Sequence, residues 1–338
     1  MLKKFISYID PLITLAKKSL ILTHRQPDGD ALGSCLAWMR FLQKHGCEVL
    51  FVSPTNITPN LSWLPYFKDA VSFEEESGKK KTESWLASTD LIFCLDFNAL
   101  SRLEELGNLV LHHKAVKVMI DHHREPEDFA NYIFSDTSYA ATSEMIYDVI
   151  SAMGKDKYID EEMAELLYAG ICTDTGFFQF NNTTPRSLNI AAKLVEKGAR
   201  PDYVSEMVNN IFHVRRLRFF GFCLDKKLKL AQGGKVAYIM ASSKEIKRYR
   251  LQNGDSEGLV NYPFKIKGVE MTALFCEESD RIKISFRSRG NNLDMNTFAR
   301  TFFNGGGHFN AAGGKSFDSL EQTEINFLKA LETLFPMQ

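Results

Sequence analysis

The first half of the chain alternates short apolar runs with longer segments in which apolar residues recur at helical spacing. The short runs predict strands near 20–23, 48–53, 90–95 and 116–120, and a helix over 31–45 follows the first of them. This alternation predicts an α/β fold whose N-terminal domain is a parallel sheet with helices on both faces. Further helices are predicted over 101–112, 141–153, 160–172 and 185–197.

The pattern changes after 198–201, where Gly-Ala-Arg-Pro interrupts it, and residues 202–230 then have helical spacing. A smaller α+β domain is predicted beyond this point. Its strands are expected near 236–241, 269–276 and 281–287, and its helices near 295–303 and 319–334. We therefore expect three parts: an N-terminal domain at 1–190, a helical linker at 191–230 and a C-terminal domain at 231–338. The charged run between 74 and 81 is expected to be a solvated loop.

Composition excludes several classes of protein. With 338 residues, 44% of them hydrophobic and 25% charged, the chain is expected to form folded domains. A formal net charge of −1 argues against binding of long DNA or RNA, which usually requires a basic excess. The six cysteines form no Cys-x-x-Cys pair and are expected to be buried thiols in a reducing compartment. No signal peptide or membrane span is evident, so we expect a cytoplasmic protein.

Acidic and imidazole side chains follow the first predicted strand. His24, Asp28 and Asp30 lie there, and Pro27 and Gly29 favour an irregular backbone. Ligands of open α/β sheets gather at the carboxyl ends of strands, so this placement favours a binding site. The two carboxylates can point in different directions and supply two neighbouring metal ions. The alternative is that the aspartates only cap the following helix, which requires one carboxylate and no histidine.

Two further aspartates end predicted elements. Asp96 follows the apolar run 91–95, where a charge is costly unless it is paired or coordinated, although it could instead cap the next helix. Asp174 follows a helix rich in apolar residues, and there an acid would oppose the helix dipole. A cation beside Asp174 would remove that objection.

The strand predicted at 116–120 is followed by Asp121, His122 and His123. A lone histidine at a strand end is more often structural, but two adjacent imidazoles next to a carboxylate favour a functional site. One imidazole can bind a metal ion while its neighbour contacts substrate. The candidate metal ligands in these clusters are four carboxylates and up to three imidazoles, with no thiolate, and the carboxylates are Asp28, Asp30, Asp96 and Asp174. This set suits Mn²⁺, Mg²⁺ or Fe²⁺ better than structural zinc.

These segments resemble, in order and spacing, the motifs of the DHH phosphoesterase superfamily, which is named after the Asp-His-His found here at 121–123. The segment 24–34, His-Arg-Gln-Pro-Asp-Gly-Asp-Ala-Leu-Gly-Ser, is similar to the first motif of that family. Residues 305–314, Gly-Gly-Gly-His-Phe-Asn-Ala-Ala-Gly-Gly, are similar to the signature of the DHH-associated C-terminal domain. Residues 257–262 and 285–289 are also similar to that family.

The resemblance implies a catalytic N-terminal domain with two divalent metal ions, most simply Mn²⁺, with Mg²⁺ or Fe²⁺ as alternatives. The implied ligands form two overlapping sets, His24, Asp28 and Asp96 for one ion and Asp30, Asp96, His122 and Asp174 for the other. His123 and Asp121 would complete the catalytic group. His123 would stabilise charge on the phosphate, and Asp121 would orient an imidazole.

The resemblance also implies that the C-terminal domain binds substrate. The residues implied in substrate contact are Arg287, Arg289, Gly305, Gly306, Gly307 and His308. Consecutive glycines allow close backbone approach and can present amide groups to an anion, and arginine can grip phosphate in bidentate fashion. The alternative for the glycine run is a flexible loop.

Within the superfamily the chain resembles the short bacterial branch of nano-RNase type. That resemblance implies exonucleolytic hydrolysis of short oligoribonucleotides or linear dinucleotides, of 3′-phosphoadenosine 5′-phosphate, or of both. The alternatives are an exopolyphosphatase-like enzyme and a non-catalytic nucleotide- or RNA-binding regulator on the same scaffold. A homodimer is also implied by the resemblance.

Overall fold

The computed structural model describes residues 1–209, 213–252 and 254–335. The chain forms two compact units, Met1–Ile211 and Phe212–Gln338. All six cysteines are buried free thiols, as the sequence predicts. Within the described ranges, no helix combines the length and the apolar character that crossing a membrane requires.

The first unit is built on a parallel sheet of six strands in the order β3-β2-β1-β4-β5-β6. The strands are β1 (Lys18–Leu22), β2 (Glu48–Ser53), β3 (Ala70–Ser72), β4 (Leu91–Leu95), β5 (Val116–Asp121) and β6 (Tyr132–Ser135). The chain order reverses at β1, which pairs with β2 on one side and β4 on the other. A reversal of this kind opens a crevice at the carboxyl ends of the two central strands, here β1 and β4.

Helices cover both faces of this sheet. Consecutive residues of a strand point to opposite sides, so a strand that is apolar throughout has side chains to bury on each face. Ile21 of β1 packs into one core cluster, whereas Leu20 and Leu22 pack into another. The helices of this unit are α1 (Leu2–Leu15), α2 (Gly29–Lys44), α3 (Glu76–Leu86), α4 (Glu105–His112), α5 (Thr142–Ala152), α6 (Glu161–Asp174), α7 (Pro185–Glu196) and α8 (Pro201–Asn209). Helices α1, α2, α5 and α6 contribute to the first cluster, and α3 and α4 to the second. This confirms the predicted α/β architecture.

Glycines allow α2 and α6 to pack against each other at close range. A Cβ atom on Gly33 would lie 2.4 Å from the carbonyl oxygen of Leu166, and one on Gly29 would lie 2.5 Å from the side chain of Thr173. A Cβ atom on Gly170 would lie 2.8 Å from Oδ1 of Asp30. Side chains at these positions would force the helices apart. The close approach therefore places the first turn of α2 beside the last turn of α6.

The second unit contains a mixed sheet in the order β11-β12-β10-β9-β8-β7, in which only β8 and β9 pair in parallel. Its strands are β7 (Leu228–Ala231), β8 (Val236–Ala241), β9 (Met271–Glu277), β10 (Ile282–Ser288), β11 (Gly306–Gly307) and β12 (Ala311–Ser316). Its helices are α9 (Val214–Phe222), α10 (Ser243–Arg248), α11 (Met295–Phe302) and α12 (Leu320–Leu334). Its core includes four packed phenylalanines, at 275, 286, 298 and 327. This is the smaller α+β unit that the sequence predicts.

Two of the predicted segments have a different secondary structure. The charged run expected to be a loop forms most of α3, whose buried face consists of Gly78, Thr82 and Leu86 and therefore lacks an apolar stripe. The helical pattern predicted over 202–230 is divided into α8 and α9, and its last residues belong to β7 because they pair with β8. The predicted linker, 191–230, also includes residues 210–212, which lie outside the described ranges.

Candidate metal centre

The acidic and imidazole residues of the first unit come together where its strands end. His24 follows β1, Asp96 follows β4, and Asp121 is the last residue of β5. These three strands are neighbours in the sheet, so the parallel arrangement brings their carboxyl ends to one edge. Asp174 reaches the same edge as the last residue of α6.

One group of donors consists of His24, Asp28 and Asp96, whose ligand atoms lie within 4.8 Å of one another. Nε2 of His24 is 3.4 Å from Oδ2 of Asp96. Asp28 is the N-cap of α2, where its Oδ1 accepts hydrogen bonds from the backbone N–H groups of Asp30 and Ala31, each 3.1 Å long. Both of these bonds use Oδ1, so capping and membership of the cluster are compatible. The helix-cap alternative is therefore correct for one oxygen of Asp28 without excluding a metal-binding role.

A second group of donors consists of Asp30, His122 and Asp174, again within 4.8 Å of one another. Nε2 of His122 is 3.3 Å from Oδ2 of Asp174 and 3.4 Å from Oδ1 of Asp96. Asp96 is thus in contact with an imidazole from each group. Asp96 adopts a left-handed backbone conformation with φ of 64°, which an aspartate tolerates better than most residues.

Asp121 and His123 form a buried pair next to these groups. Nδ1 of His123 is 2.7 Å from Oδ1 of Asp121, and the backbone N–H of His123 donates to Oδ2 of the same carboxylate at 3.1 Å. This contact fixes the orientation of the His123 ring. Burial lowers the pKa of His123 well below its usual value, which favours the neutral imidazole.

The carboxylates of the site destabilise one another's charge. Burial and the nearby Asp96 raise the pKa of Asp30 to about 7, and burial with the nearby Asp30 and Asp28 raises the pKa of Asp174 well above its usual value. For Asp96, burial is outweighed by hydrogen bonding to His122 and His24, and its pKa is lowered. A divalent cation would relieve the repulsion and compensate the burial. The oxygen-rich donor set therefore fits divalent metal ions.

The sequence did not single out a further group of residues that contacts these ligands. The backbone N–H groups of Thr142 and Ser143 donate to the two carboxylate oxygens of Asp30, at 2.6 and 2.9 Å. The hydroxyl of Thr142 donates to Oδ1 of Asp96 at 2.9 Å. The sequence signal for these contacts is the pair of hydroxyl residues at the start of the helix predicted over 141–153. Hydroxyl residues are common at helix starts for capping alone, so this signal does not by itself indicate contact with a metal ligand.

The residues predicted to contact substrate lie in the second unit. Arg287 is on β10, where burial lowers the pKa of its guanidinium group and Nη1 donates to the carbonyl of Phe286 at 2.9 Å. Arg289 follows that strand, with its guanidinium carbon 4.6 Å from the centre of the Phe264 ring. His308 is exposed.

The three glycines before His308 belong to a β-hairpin rather than to an irregular loop. Gly306 and Gly307 form β11 and pair with β12. A Cβ atom on Gly305 would lie 1.9 Å from the carbonyl oxygen of Gly313, and one on Gly307 would lie 2.5 Å from that of Ala311. The backbone N–H of Gly307 donates to Oδ1 of Asn296 at 2.9 Å. The close approach that requires glycine here is thus between two segments of the chain itself.

Comparison with known proteins gives matches along nearly all of the chain. Residues 18–171 match the DHH family, N-terminal domain, and residues 233–335 match the DHHA1 domain. A curated relative from Bacillus subtilis, named bifunctional oligoribonuclease and PAP phosphatase NrnA, is 30% identical over 328 residues, covering 95% of this chain and 96% of that protein. A relative of the same name from Thermus thermophilus is 29% identical over 325 residues, covering 92% of this chain and 88% of that protein.

Solved structures agree with these matches. The structure of an exopolyphosphatase-related protein from Bacteroides fragilis has a TM-score of 0.94 at 35% identity, covering 99% of this chain and 97% of that one. The structure of exonuclease RecJ bound to manganese, with a TM-score of 0.51 at 14% identity, shares the fold. DHH phosphoesterases use divalent metal ions, and the donors at the carboxyl edge of the sheet are of the required kind. From its two domains and its full-length relatives, the chain belongs to the DHH family and is a metal-dependent phosphoesterase.

Proposed function

We propose that this enzyme hydrolyses short oligoribonucleotides and 3′-phosphoadenosine 5′-phosphate. The observation that carries the proposal is the match, over nearly the whole of both chains, to relatives named bifunctional oligoribonuclease and PAP phosphatase. The net charge of −1 supports a short substrate, because a protein that grips a long polyanion usually has a basic excess.

We assign two divalent ions to the two groups of donors, and we propose that both are Mn²⁺. His24, Asp28 and Asp96 would hold one ion, and the other would be held by Asp30, Asp96, His122 and Asp174. The position of Asp96, next to an imidazole from each group, supports its assignment as the shared ligand. Divalent ions in such a site stabilise negative charge on a phosphoryl group and lower the pKa of water.

Within this site the chain itself would orient the phosphate. We assign to His123 the contact with a phosphoryl oxygen, and to Asp121 the role of holding the His123 ring in place. The 2.7 Å contact between Nδ1 and the carboxylate supports this division.

The division of labour between domains is also part of the proposal. Residues 1–190 would carry the metal centre, residues 191–230 would connect the domains, and residues 231–338 would bind substrate. The substrate contacts we propose are those implied by the sequence, Arg287, Arg289, Gly305, Gly306, Gly307 and His308. Homodimer formation and a cytoplasmic location stay predictions.

An exopolyphosphatase-like activity is the second candidate. It is favoured by the name of the Bacteroides fragilis structure, an exopolyphosphatase-related protein at 35% identity. Purified full-length protein should therefore be assayed with 3′-phosphoadenosine 5′-phosphate, pApA, a short RNA and polyphosphate, each with Mn²⁺ and with EDTA. We expect phosphate or mononucleotide release from the first three with Mn²⁺ and none with EDTA. Turnover of polyphosphate alone would overturn the substrate proposal, and no turnover of any compound would favour a nucleotide-binding regulator.

Substitution of Asp96 tests the assignment of the metal centre. Asp96→Asn keeps the shape of the side chain and tolerates the left-handed backbone, but it removes the charge that two ions would share. We expect turnover to be abolished while the melting temperature, measured with EDTA, changes little. Asp69→Asn, at an exposed aspartate, is the matched control and should keep full activity. A substantially active Asp96→Asn enzyme would contradict the assignment.

A further inference from the structure

The segment between β6 and the first turn of α5, residues 139–143, contacts ligands from both halves of the proposed metal centre. Two backbone N–H groups of this segment donate to Asp30, a hydroxyl group donates to Asp96, and a backbone carbonyl accepts from His122. Asp30, Asp96 and His122 all receive such a contact. These ligands come from separate strand ends and helices, and the segment is in contact with all three.

Asp30 is held by the amino-terminal end of α5. Both of its carboxylate oxygens accept a backbone N–H, one from Thr142 at 2.6 Å and one from Ser143 at 2.9 Å. The first N–H groups of a helix have no partner within the helix and carry partial positive charge, so they stabilise a carboxylate. Asp30 is completely buried, and this pair of hydrogen bonds fixes the plane of its carboxylate.

Asp96 is held by the side chain of the same residue that holds Asp30. The hydroxyl of Thr142 donates to Oδ1 of Asp96 at 2.9 Å, and Thr142 is itself completely buried. Thr142 is β-branched, which restricts its rotation about χ1 and therefore the direction of its hydroxyl. Through its N–H and its hydroxyl, Thr142 thus contacts one ligand assigned to the second ion and the ligand assigned to both ions.

His122 is oriented by the start of the segment. Its Nδ1 lies 3.3 Å from the carbonyl oxygen of Tyr139, a contact in which the imidazole N–H donates. Donation from Nδ1 directs the Nε2 lone pair towards Asp96 and Asp174, at 3.4 and 3.3 Å. Hydrogen bonds of this kind fix the tautomer and the ring orientation of metal-binding histidines.

We infer that Thr142 is a positioning residue that sets the spacing of the two ion sites, because its hydroxyl fixes Asp96 while its backbone N–H fixes Asp30. The inference rests on the proposed assignment of these two carboxylates to the metal centre. Loss of the hydroxyl would leave Oδ1 of Asp96 without this donor and allow the shared ligand to rotate. The amide contact with Asp30 would remain.

The test compares Thr142→Val, Thr142→Ser and the wild-type enzyme. Valine keeps the shape and the backbone N–H but removes the hydroxyl, whereas serine keeps the hydroxyl and removes a methyl group. Thr82→Val is the matched control, because Thr82 is equally buried and its hydroxyl donates to a backbone carbonyl at 2.8 Å within α3. Thr142→Ala is a second variant without the hydroxyl, to be used if Thr142→Val does not fold.

The readouts are Mn²⁺ affinity by calorimetry, the electron paramagnetic resonance signal of a coupled Mn²⁺ pair, and kcat and KM. For Thr142→Val we expect at least one Mn²⁺ to bind about tenfold more weakly, which is typical of losing a hydrogen bond to a metal ligand. The coupled signal should weaken and kcat should fall, with KM little changed. Thr142→Ser should restore all three, and Thr82→Val should behave like the wild type.

Two kinds of failure can be distinguished. If wild-type protein binds two Mn²⁺ ions and is active, but Thr142→Val matches it in affinity and coupled signal, the positioning role is wrong. Failure of Thr142→Ser to recover the wild-type signal would also contradict it. If wild-type protein neither binds a coupled Mn²⁺ pair nor hydrolyses any of the phosphoesters, the proposed function fails instead.

Discussion

Replacing Gly33 by alanine should destabilise the first unit, although alanine is the better helix former. Gly33 is in α2, and a Cβ atom there would lie 2.4 Å from the carbonyl oxygen of Leu166 and 3.3 Å from two backbone atoms of Gly170, both in α6. These are backbone atoms, so no change of rotamer can relieve the overlap. The two helices would have to separate.

The expected size of the effect follows from two opposing contributions. Exchange of glycine for alanine inside a helix stabilises by about 1 kcal/mol. Overpacking of a closely packed interior costs typically about 1–3 kcal/mol, and contact with a rigid backbone belongs at the upper end of that range. The net loss should therefore be about 1–2 kcal/mol, which lowers the melting temperature of a unit of this size by about 2–8 °C.

Calorimetry of the full-length protein, with and without Mn²⁺, measures this effect. Gly221→Ala is the matched control, because Gly221 is an exposed position in α9 and a Cβ atom there would meet no atom within 4 Å. That variant should be as stable as the wild type or more stable. Because α2 carries Asp30 and α6 carries Asp174, Gly33→Ala should also weaken Mn²⁺ binding, which Gly221→Ala should not. Equal stabilisation by both substitutions would refute the close-packing argument.

Three other properties can be measured with little additional work. EDTA should lower the melting temperature of the wild type, because ions that bind only the folded state stabilise it; an unchanged melting temperature would contradict the metal centre. Arg287→Lys should raise KM for 3′-phosphoadenosine 5′-phosphate more than it lowers kcat, since lysine cannot grip phosphate in bidentate fashion, and steady-state kinetics can decide this. Burial opposes the charge of Asp160, but its contacts with Lys44 and with the N–H of Met163 outweigh burial and lower its pKa. Stabilisation by Asp160 should therefore be present above its unfolded pKa of about 4 and lost as the pH falls through the lower folded value. Asp160→Asn should lower the free energy of unfolding near neutral pH by less than about 1 kcal/mol, because the pair with Lys44 is partly exposed to solvent. This loss should vanish when unfolding is measured at acid pH.

The strands that the sequence predicts best are those buried on both faces. Residues 48–53 and 236–241 were predicted as strands and form β2 and β8 with the same bounds. Strands of this kind have continuous apolar runs, which the sequence displays without reference to any partner.

The elements that the sequence did not predict depend on their neighbours. β12, with the sequence Ala-Ala-Gly-Gly-Lys-Ser, has no apolar alternation, yet it forms a strand because it pairs with β10. A Cβ atom on Gly314 would lie 2.9 Å from Cβ of Phe303, so small residues are required there. Helix α3 is a similar case, because its buried face is made of small and polar residues together with Leu86.

For the metal centre, the sequence by itself determined which donors are present and that they follow the ends of strands and helices. Ligand type and strand position are local properties, so the pattern of residues was enough to indicate divalent ions. Only the tertiary structure decided how the donors are held. Thr142 contacts Asp96 across 46 positions of the chain and Asp30 across 112. Contacts between such distant residues depend on how α2, α5 and β4 pack together, and no local pattern encodes that packing.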